Sequence, residues 1–246
     1  AAAISAMRGA IAFLTRLPVS PSRPTDWDAF RQSPWTFLIV GALVGAIAGA
    51  AFFMPTTWTA VALYMIVLYG VGGVTHADGL ADLGDALAVH DPDRRRAVLK
   101  DAALGVGGAL ALGITLLTTV LGAASIATEV GVGVVPWAVL IDGGALSSPG
   151  LQALLFIMAA EVGAKAGMAL LICGGTAAHE GLGAAVMRDT TMADAVPVVG
   201  LLLVSGGGMS VLAGSSAQLA VWSTLLTGPI VAVIMYRWVT PWLDGL

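Results

Sequence analysis

Residues 37–54 read FLIVGALVGAIAGAAFFM, eighteen positions with no charge and no hydrogen-bonding side chain. Such a run must satisfy its peptide groups internally once it leaves water, and a helix does so locally. At 1.5 Å per residue it reaches about 27 Å, close to the ~30 Å hydrocarbon core of a bilayer. Gly41, Gly45 and Gly49 recur every fourth residue on one face. Small residues at that spacing let membrane helices approach backbone to backbone, so this stripe is expected to lie buried against a neighbour.

Outward from it, comparable apolar stretches occupy about 59–75, 104–124, 151–175, 194–213 and 217–236. The chain is 58% hydrophobic and 11% charged, with a mean hydropathy of +0.92, where soluble domains carry about a quarter charged residues. These features predict an all-α integral membrane protein with about six transmembrane helices, one polytopic domain over 1–246. A net charge of −4 leaves no basic surface for nucleic acid. The single cysteine, Cys173, sits inside an apolar run, excludes an internal disulfide and reads as a packing residue.

The basic residues set the orientation. Arg8, Arg16, Arg23 and Arg31 precede the first span; Arg94, Arg95, Arg96 and Lys100 lie between the second and third; Arg188 lies between the fourth and fifth; Arg237 follows the sixth. The connections near 55–58, 125–150 and 214–216 have no Lys or Arg. The positive-inside rule therefore places both termini in the cytoplasm of a cell-membrane protein. Residues 1–36 are expected to form a cytoplasmic interfacial segment, in which 10–14, flanked by Arg8 and Arg16, make a short interfacial helix and Pro18, Pro21 and Pro24 hold an extended linker. The start of the chain has no small-residue cleavage pattern and does not read as a signal peptide. In the base-free loop 125–150, Val132 to Ile141 is too short to cross and is expected to be re-entrant or interfacial. No internal repeat is visible, so an inverted-repeat transporter gains no support.

The chemistry concentrates in HADGLADLGDALAVHDPDRRRAVLKD, residues 76–101, which hold six acidic and four basic side chains. On a helix, Asp78, Asp82 and Asp85 fall within an arc of about 60°. Three carboxylates on one stripe repel one another unless a cation sits on them. A hard divalent ion such as Mg²⁺, which shares its ligand positions with phosphates, suits that place. The bland alternative is a solvated helix face. Asp91-Pro92-Asp93 reads as a turn and helix start, and a basic helix from Arg94 to Lys100 would face the acidic one, its charges available for phosphate. Residues 76–103 are thus read as a cytoplasmic, Asp-rich catalytic loop. His76 lies off the acidic stripe and serves as a base or ligand only if the backbone there is not yet helical. Lys100 and Asp101 stand together at the membrane entrance.

Glu161 and Lys165 are four apart inside the fourth span, able to pair on one helix face at lipid depth, where ionisable groups are functional candidates. His179 and Glu180 stand in a polar, Gly-rich stretch where an acid has room to bind a second metal or a substrate hydroxyl, or simply to be solvated.

H-A-D-G-L-A-D-L-G-D-A-L at 76–87, R-R-R-A-V-L-K-D at 94–101 and the Gly-rich start of the next span resemble the cobalamin synthase family (adenosylcobinamide-GDP ribazoletransferase). F-L-T-R-L-P-V at 13–19, A-K-A-G-M at 164–168 and H-E-G-L-G at 179–183 are similar to its other motifs. The resemblance implies a membrane enzyme on which a hydroxyl of α-ribazole, or of its 5′-phosphate, displaces GMP from adenosylcobinamide-GDP with Mg²⁺ present. It implies Asp78, Asp82 and Asp85 as metal carboxylates, His76 as a base, and Arg16 and Lys100 as phosphate contacts. Arg96, Asp101, Lys165 and Glu180 complete the expected substrate-binding set. Beyond the substrates and the lipid bilayer, a homo-oligomer or an assembly with other corrinoid enzymes stays open. Members usually carry a Gly-Gly-x-x-Gly-Asp type motif after the last span, whereas this chain reads Trp242-Leu243-Asp244-Gly245-Leu246 there; with no Met at position 1, the resemblance reads it as a processed or truncated chain.

Two other readings remain open. A CDP-alcohol phosphotransferase also begins an Asp-rich helix with D-G-x-x-A, but expects Arg where Asp82 stands. A transporter gated by Glu161 and Lys165 leaves the acidic stripe unexplained.

Overall fold

The computed structural model describes residues 2–19, 23–99, 103–133, 148–177 and 182–242. Its α-helices are α1 (Ala2–Leu14), α2 (Pro24–Arg31), α3 (Thr36–Gly49), α4 (Thr57–Gly72), α5 (Thr75–Ala88), α6 (Pro92–Val98), α7 (Val106–Val130), α8 (Pro149–Gly174), α9 (Leu182–Met187), α10 (Ala195–Ala213) and α11 (Gln218–Val239). Among the described residues there is no strand. Among the described residues five helical segments are long and apolar enough to cross a bilayer: Thr36–Phe53, where a 3₁₀ turn extends α3, then α7, α8, Met192–Ala213, which contains α10, and α11. The second expected span, α4, is shorter at 16 residues and joins α5 through a bend of 93°.

Helix α8 is the central post, packed by α3, α11, α10 and α7. The glycine stripe of α3 explains its closest contact. A Cβ at Gly41 would stand 2.8 Å from the Glu161 carbonyl oxygen, and one at Gly45 would stand 2.7 Å from Met158 Cα. Gly49 meets Leu154 in the same way, so the stripe is buried against α8 as its spacing predicts. On the other side of α8, Gly163 faces Gly228 of α11, and a side chain at either position would run into main-chain atoms of the partner helix. Outward-facing residues such as Leu110, Ile114, Leu117, Val204 and Ile234 are exposed, as a lipid-facing surface requires.

The N-terminal segment docks by an aromatic cluster: Phe13 lies 5.3 Å from Phe30, and Phe30 lies 5.5 Å from Phe37, ring centre to ring centre. The helix expected at 10–14 is longer, the whole of α1. The prolines need a correction. Pro24 does not hold an extended linker but opens α2, where its fixed φ suits the first helical position and its missing N–H costs nothing. Asp26 then accepts from the Arg23 N–H at 3.1 Å and pairs with Arg8 Nε at 3.2 Å. The Arg23 hydrogen bond holds its carboxyl below the usual range against the opposing effect of burial, with help from Ser5 and Arg8.

The connections sort to two ends of the bundle. At one end the Arg16 N–H donates to Val71 O at 2.7 Å, and Arg31 pairs with Asp189 at 2.6 Å. These contacts join the segment before α3, the end of α4 and the connection after α8, all basic by sequence. At the other, Thr57 Oγ1 donates to Val132 O at 3.0 Å, joining the base-free connections before α4 and after α7. The expected re-entrant piece falls, apart from Val132 and Gly133, outside the described residues.

Candidate active site

The acidic helix is created by a break. Gly73 takes φ +71°, a left-handed conformation in which a side chain is strained, and its N–H closes α4 on Tyr69 O at 2.9 Å. The chain then turns and α5 runs across the end of α4. One face of α5 is bare: Ala81 and Ala86 are buried, and Gly84 meets Gly107 of α7 so closely that a Cβ on Gly84 would lie 2.7 Å from the Gly107 carbonyl oxygen. The acidic stripe lies beside that contact, with Asp78 exposed and Asp82 and Asp85 half-buried. Desolvation first, then the charges of Asp78 and Asp85, raise the Asp82 carboxyl above its ordinary value.

Asp85 is engaged differently from its two neighbours. One carboxylate oxygen accepts the Gly105 N–H at 2.8 Å and the other accepts the Gly108 N–H at 2.8 Å. Gly105 is the residue that precedes α7 and has no side chain with which to cap it. Asp85 supplies the cap from another helix and places a negative charge at the positive end of α7. Among the described residues no three acidic, His or Cys side chains close on one point as a metal site. The hard oxygens of Asp78 and Asp82, one turn apart on α5, nonetheless fit an ion such as Mg²⁺, which takes one or two carboxylates and completes its shell with substrate phosphates and water.

Arg16 packs over the break: a Cβ at Gly73 would stand 3.3 Å from its Cγ and Cδ. Lys165, on α8, is buried at 8% exposed, opposite Gly41 of α3, with Nζ 3.9 Å from Met168 Sδ. It lies within electrostatic reach of both Glu161 and His76. His76 is already helical, in the first turn of α5, so by helical projection it faces about 160° away from Asp78. It keeps an exposed edge, yet partial desolvation, reinforced by the Lys165 charge, pushes its imidazole down to about 4. The ring is neutral at physiological pH.

The structure thus places Arg16 against the α4–α5 break, His76 and Asp78 in the first turn beyond it, Asp82 one turn further along α5 and Asp85 at the start of α7, with Lys165 within electrostatic reach of His76. The expected confrontation of acidic and basic helices takes another form. Arg95 donates from Nε to Val89 O at 2.8 Å and from Nη2 to His90 O at 3.1 Å, which occupies its guanidinium on the carbonyls that follow α5. Arg96 is carried by α6. Lys100, Asp101 and Glu180, with His179, lie outside the described residues. Sequence reasoning missed the Arg31–Asp189 tie and the capping role of Asp85. A readable signal for the second was the G-V-G-G start of α7, a helix opening with no Ser, Thr, Asp or Asn of its own.

A sequence profile described as cobalamin-5-phosphate synthase matches residues 6–246. A protein of Haloquadratum walsbyi named adenosylcobinamide-GDP ribazoletransferase is 39% identical over 250 residues, covering 99% of this chain and 89% of its own. Similarly named proteins of Halorubrum lacusprofundi and Methanocella arvoryzae are 41% and 28% identical, over 92% and 95% of this chain and 79% and 86% of theirs. No solved structure matches. With a helical membrane fold, an acidic helix at the mouth of the bundle and a profile match over nearly its whole length, the chain belongs to the cobalamin-5-phosphate synthase family.

Proposed function

We propose that the protein joins adenosylcobinamide-GDP to α-ribazole or α-ribazole 5′-phosphate, releasing GMP, at a Mg²⁺-dependent site on the cytoplasmic face of the cell membrane. The observation that carries this reading is the Asp78–Asp82 pair, one turn apart on α5, where desolvation and then the Asp78 and Asp85 charges raise the Asp82 carboxyl, an environment that a cation would relieve. A hydroxyl of the ribazole forms a new bond to the cobinamide-side phosphorus. The anhydride bond breaks, GMP leaves with the bridging oxygen, and the hydroxyl proton passes to a base. Bound Mg²⁺ would supply charge neutralisation for the diphosphate and the departing GMP. Asp78 and Asp82 would hold that ion. Arg16, fixed by its backbone bond to Val71, neutralises phosphate charge from the other side of the break. His76 is already helical and faces away from Asp78, so the condition for its acting as the base is not met, and the hydroxyl proton is assigned to water. Lys165 lies within electrostatic reach of His76, and Lys100, Arg96, Asp101 and Glu180 are assigned to substrate by their motifs.

The test is direct. Protein in lipid vesicles with Mg²⁺ receives adenosylcobinamide-GDP and α-ribazole, and in a parallel reaction CDP-diacylglycerol and an alcohol. GMP release only in the first supports the proposal. CMP release in the second, or neither nucleotide, overturns it.

A further inference from the structure

We infer that Asp85 is a positioning residue that locks the acidic helix onto the start of α7, leaving Asp78 and Asp82 as the carboxylates that meet the substrate and its ion. The inference deepens the reading above and rests on it. Both Asp85 oxygens are already occupied by main-chain donors, Gly105 N–H and Gly108 N–H, each at 2.8 Å. Those donors belong to a different helix, 20 and 23 residues further along the chain, so the contact is tertiary. It lies one turn beyond Asp82 on the same stripe. The surroundings are shaped for it: the atoms nearest a Cβ on Gly105 would be those of the Asp85 carboxylate, with Cγ at 2.9 Å, and one on Gly108 would strike the same carboxylate and Ala81 O. Elsewhere Gly84 meets Gly107, flanked by the methyls of Ala88 and Ala111, a close approach of apolar groups and peptide atoms. Asp85 supplies the direction. It fixes the rotation of α5 about its own axis, and that rotation decides where Asp78 and Asp82 point.

A ligand role and a positioning role respond differently to substitution. Asn keeps one acceptor oxygen for a backbone N–H but is a poor replacement for a metal carboxylate. Ala removes both functions. Gly105, at φ −91°, accepts Ala without backbone strain, and the new methyl meets the Asp85 carboxylate first and displaces it.

The experiment measures kcat, KM for adenosylcobinamide-GDP, the Mg²⁺ concentration for half-maximal rate and, in chelator without substrate, amide exchange at Gly105 and Gly108, which Asp85→Ala and Gly105→Ala should speed and Asp78→Ala should not, in vesicle-embedded wild type, Asp85→Asn, Asp85→Ala, Gly105→Ala and the Gly105→Ala/Asp85→Ala double variant. Asp78→Asn and Asp78→Ala serve as ligand controls. Expected for Asp85→Ala and Gly105→Ala is a fall in kcat on the order of 100-fold, the scale of a displaced catalytic group, that added Mg²⁺ does not recover. Asp85→Asn should restore most of the rate, whereas Asp78→Asn should be as impaired as Asp78→Ala. The double variant should be no slower than Asp85→Ala, because the methyl then has nothing to displace. A fully active Gly105→Ala, or an Asp85→Asn as slow as Asp85→Ala and recovered by Mg²⁺, overturns the inference and makes Asp85 a ligand. If Asp85→Ala does not fold, Gly105→Ala and Asp85→Asn decide alone. A wild type that releases no GMP defeats the proposed function instead, a result none of the variants can mimic.

Discussion

Arg31 and Asp189 are separated by most of the chain yet lie 2.6 Å apart, nitrogen to oxygen, across the end of the bundle. The same guanidinium holds Asp28 through its other nitrogen at 2.8 Å. It therefore clamps α2 to the turn after α9 with a fork that a single ammonium does not reproduce. Arg31→Ala and Asp189→Ala should each speed amide exchange in residues 24–31 and 182–190. In a double-variant cycle their coupling in stability should be below about 1 kcal/mol, since both partners retain water contact. Arg31→Lys should recover only part of the exchange protection. Unchanged exchange in Asp189→Ala would show that the aromatic cluster alone holds α2.

Asp82→Asn removes one charge from a stripe of three while preserving shape. Turnover should fall on the order of 100- to 1,000-fold, the scale of a lost electrostatic contribution to the transition state. Without Mg²⁺, stability at neutral pH should hold or rise. The sign follows from the raised Asp82 carboxyl: the fold disfavours its charged form, so Asp82 lowers stability above its pKa and ceases to do so as pH falls through that value. Thermal midpoints of the two proteins in chelator, measured across pH 4–7, check this. A wild-type rate in Asp82→Asn would reduce the stripe to a solvated face.

The His76 imidazole, lowered to about 4, gives a dependence of opposite sense. The fold prefers the neutral ring, so the related stability is complete above the ordinary 6.5 and is lost as pH falls from there toward 4. Lys165→Met removes the secondary cause and leaves desolvation, so the His76 pKa should rise part of the way to 6.5. The chain has three histidines, and their ring signals can be followed by NMR in detergent. A His76 titration unmoved by Lys165→Met would show that the lysine charge is felt elsewhere.

Orientation is tested by single cysteines placed in wild type after Cys173→Ser. Ala97→Cys and Gly183→Cys should react with an impermeant reagent only from the cytoplasmic face, and Glu129→Cys only from outside. Exterior labelling at position 97 would overturn the sidedness and the proposed location of the site together.

Much of this architecture is legible because hydrocarbon length and helical spacing are local properties. The run 37–54 predicts α3 and its buried glycine stripe, and the Asp78–Asp82–Asp85 spacing predicts a helix that α5 supplies. What escapes the sequence depends on contacts between distant residues. Nothing local tells that the Asp85 carboxylate meets Gly105 and Gly108, or that Arg31 finds Asp189. Pro24 was misleading for another reason: beside Pro18 and Pro21 it looks like part of a linker, yet P-T-D is also a helix opening, with an acid in the first turn. The Arg95 side chain illustrates competition: it donates to the Val89 and His90 carbonyls that follow α5, acceptors that a helical projection of the charges does not display.

Where α5 crosses α7, peptide atoms of Gly84 and Gly107 meet directly, flanked by the methyls of Ala88 and Ala111. Longer side chains can change rotamer and act as springs; peptide atoms and methyls cannot. The height of the acidic pair above the first turn of α7 is therefore gauged by van der Waals radii, a rigid shim between the two helices.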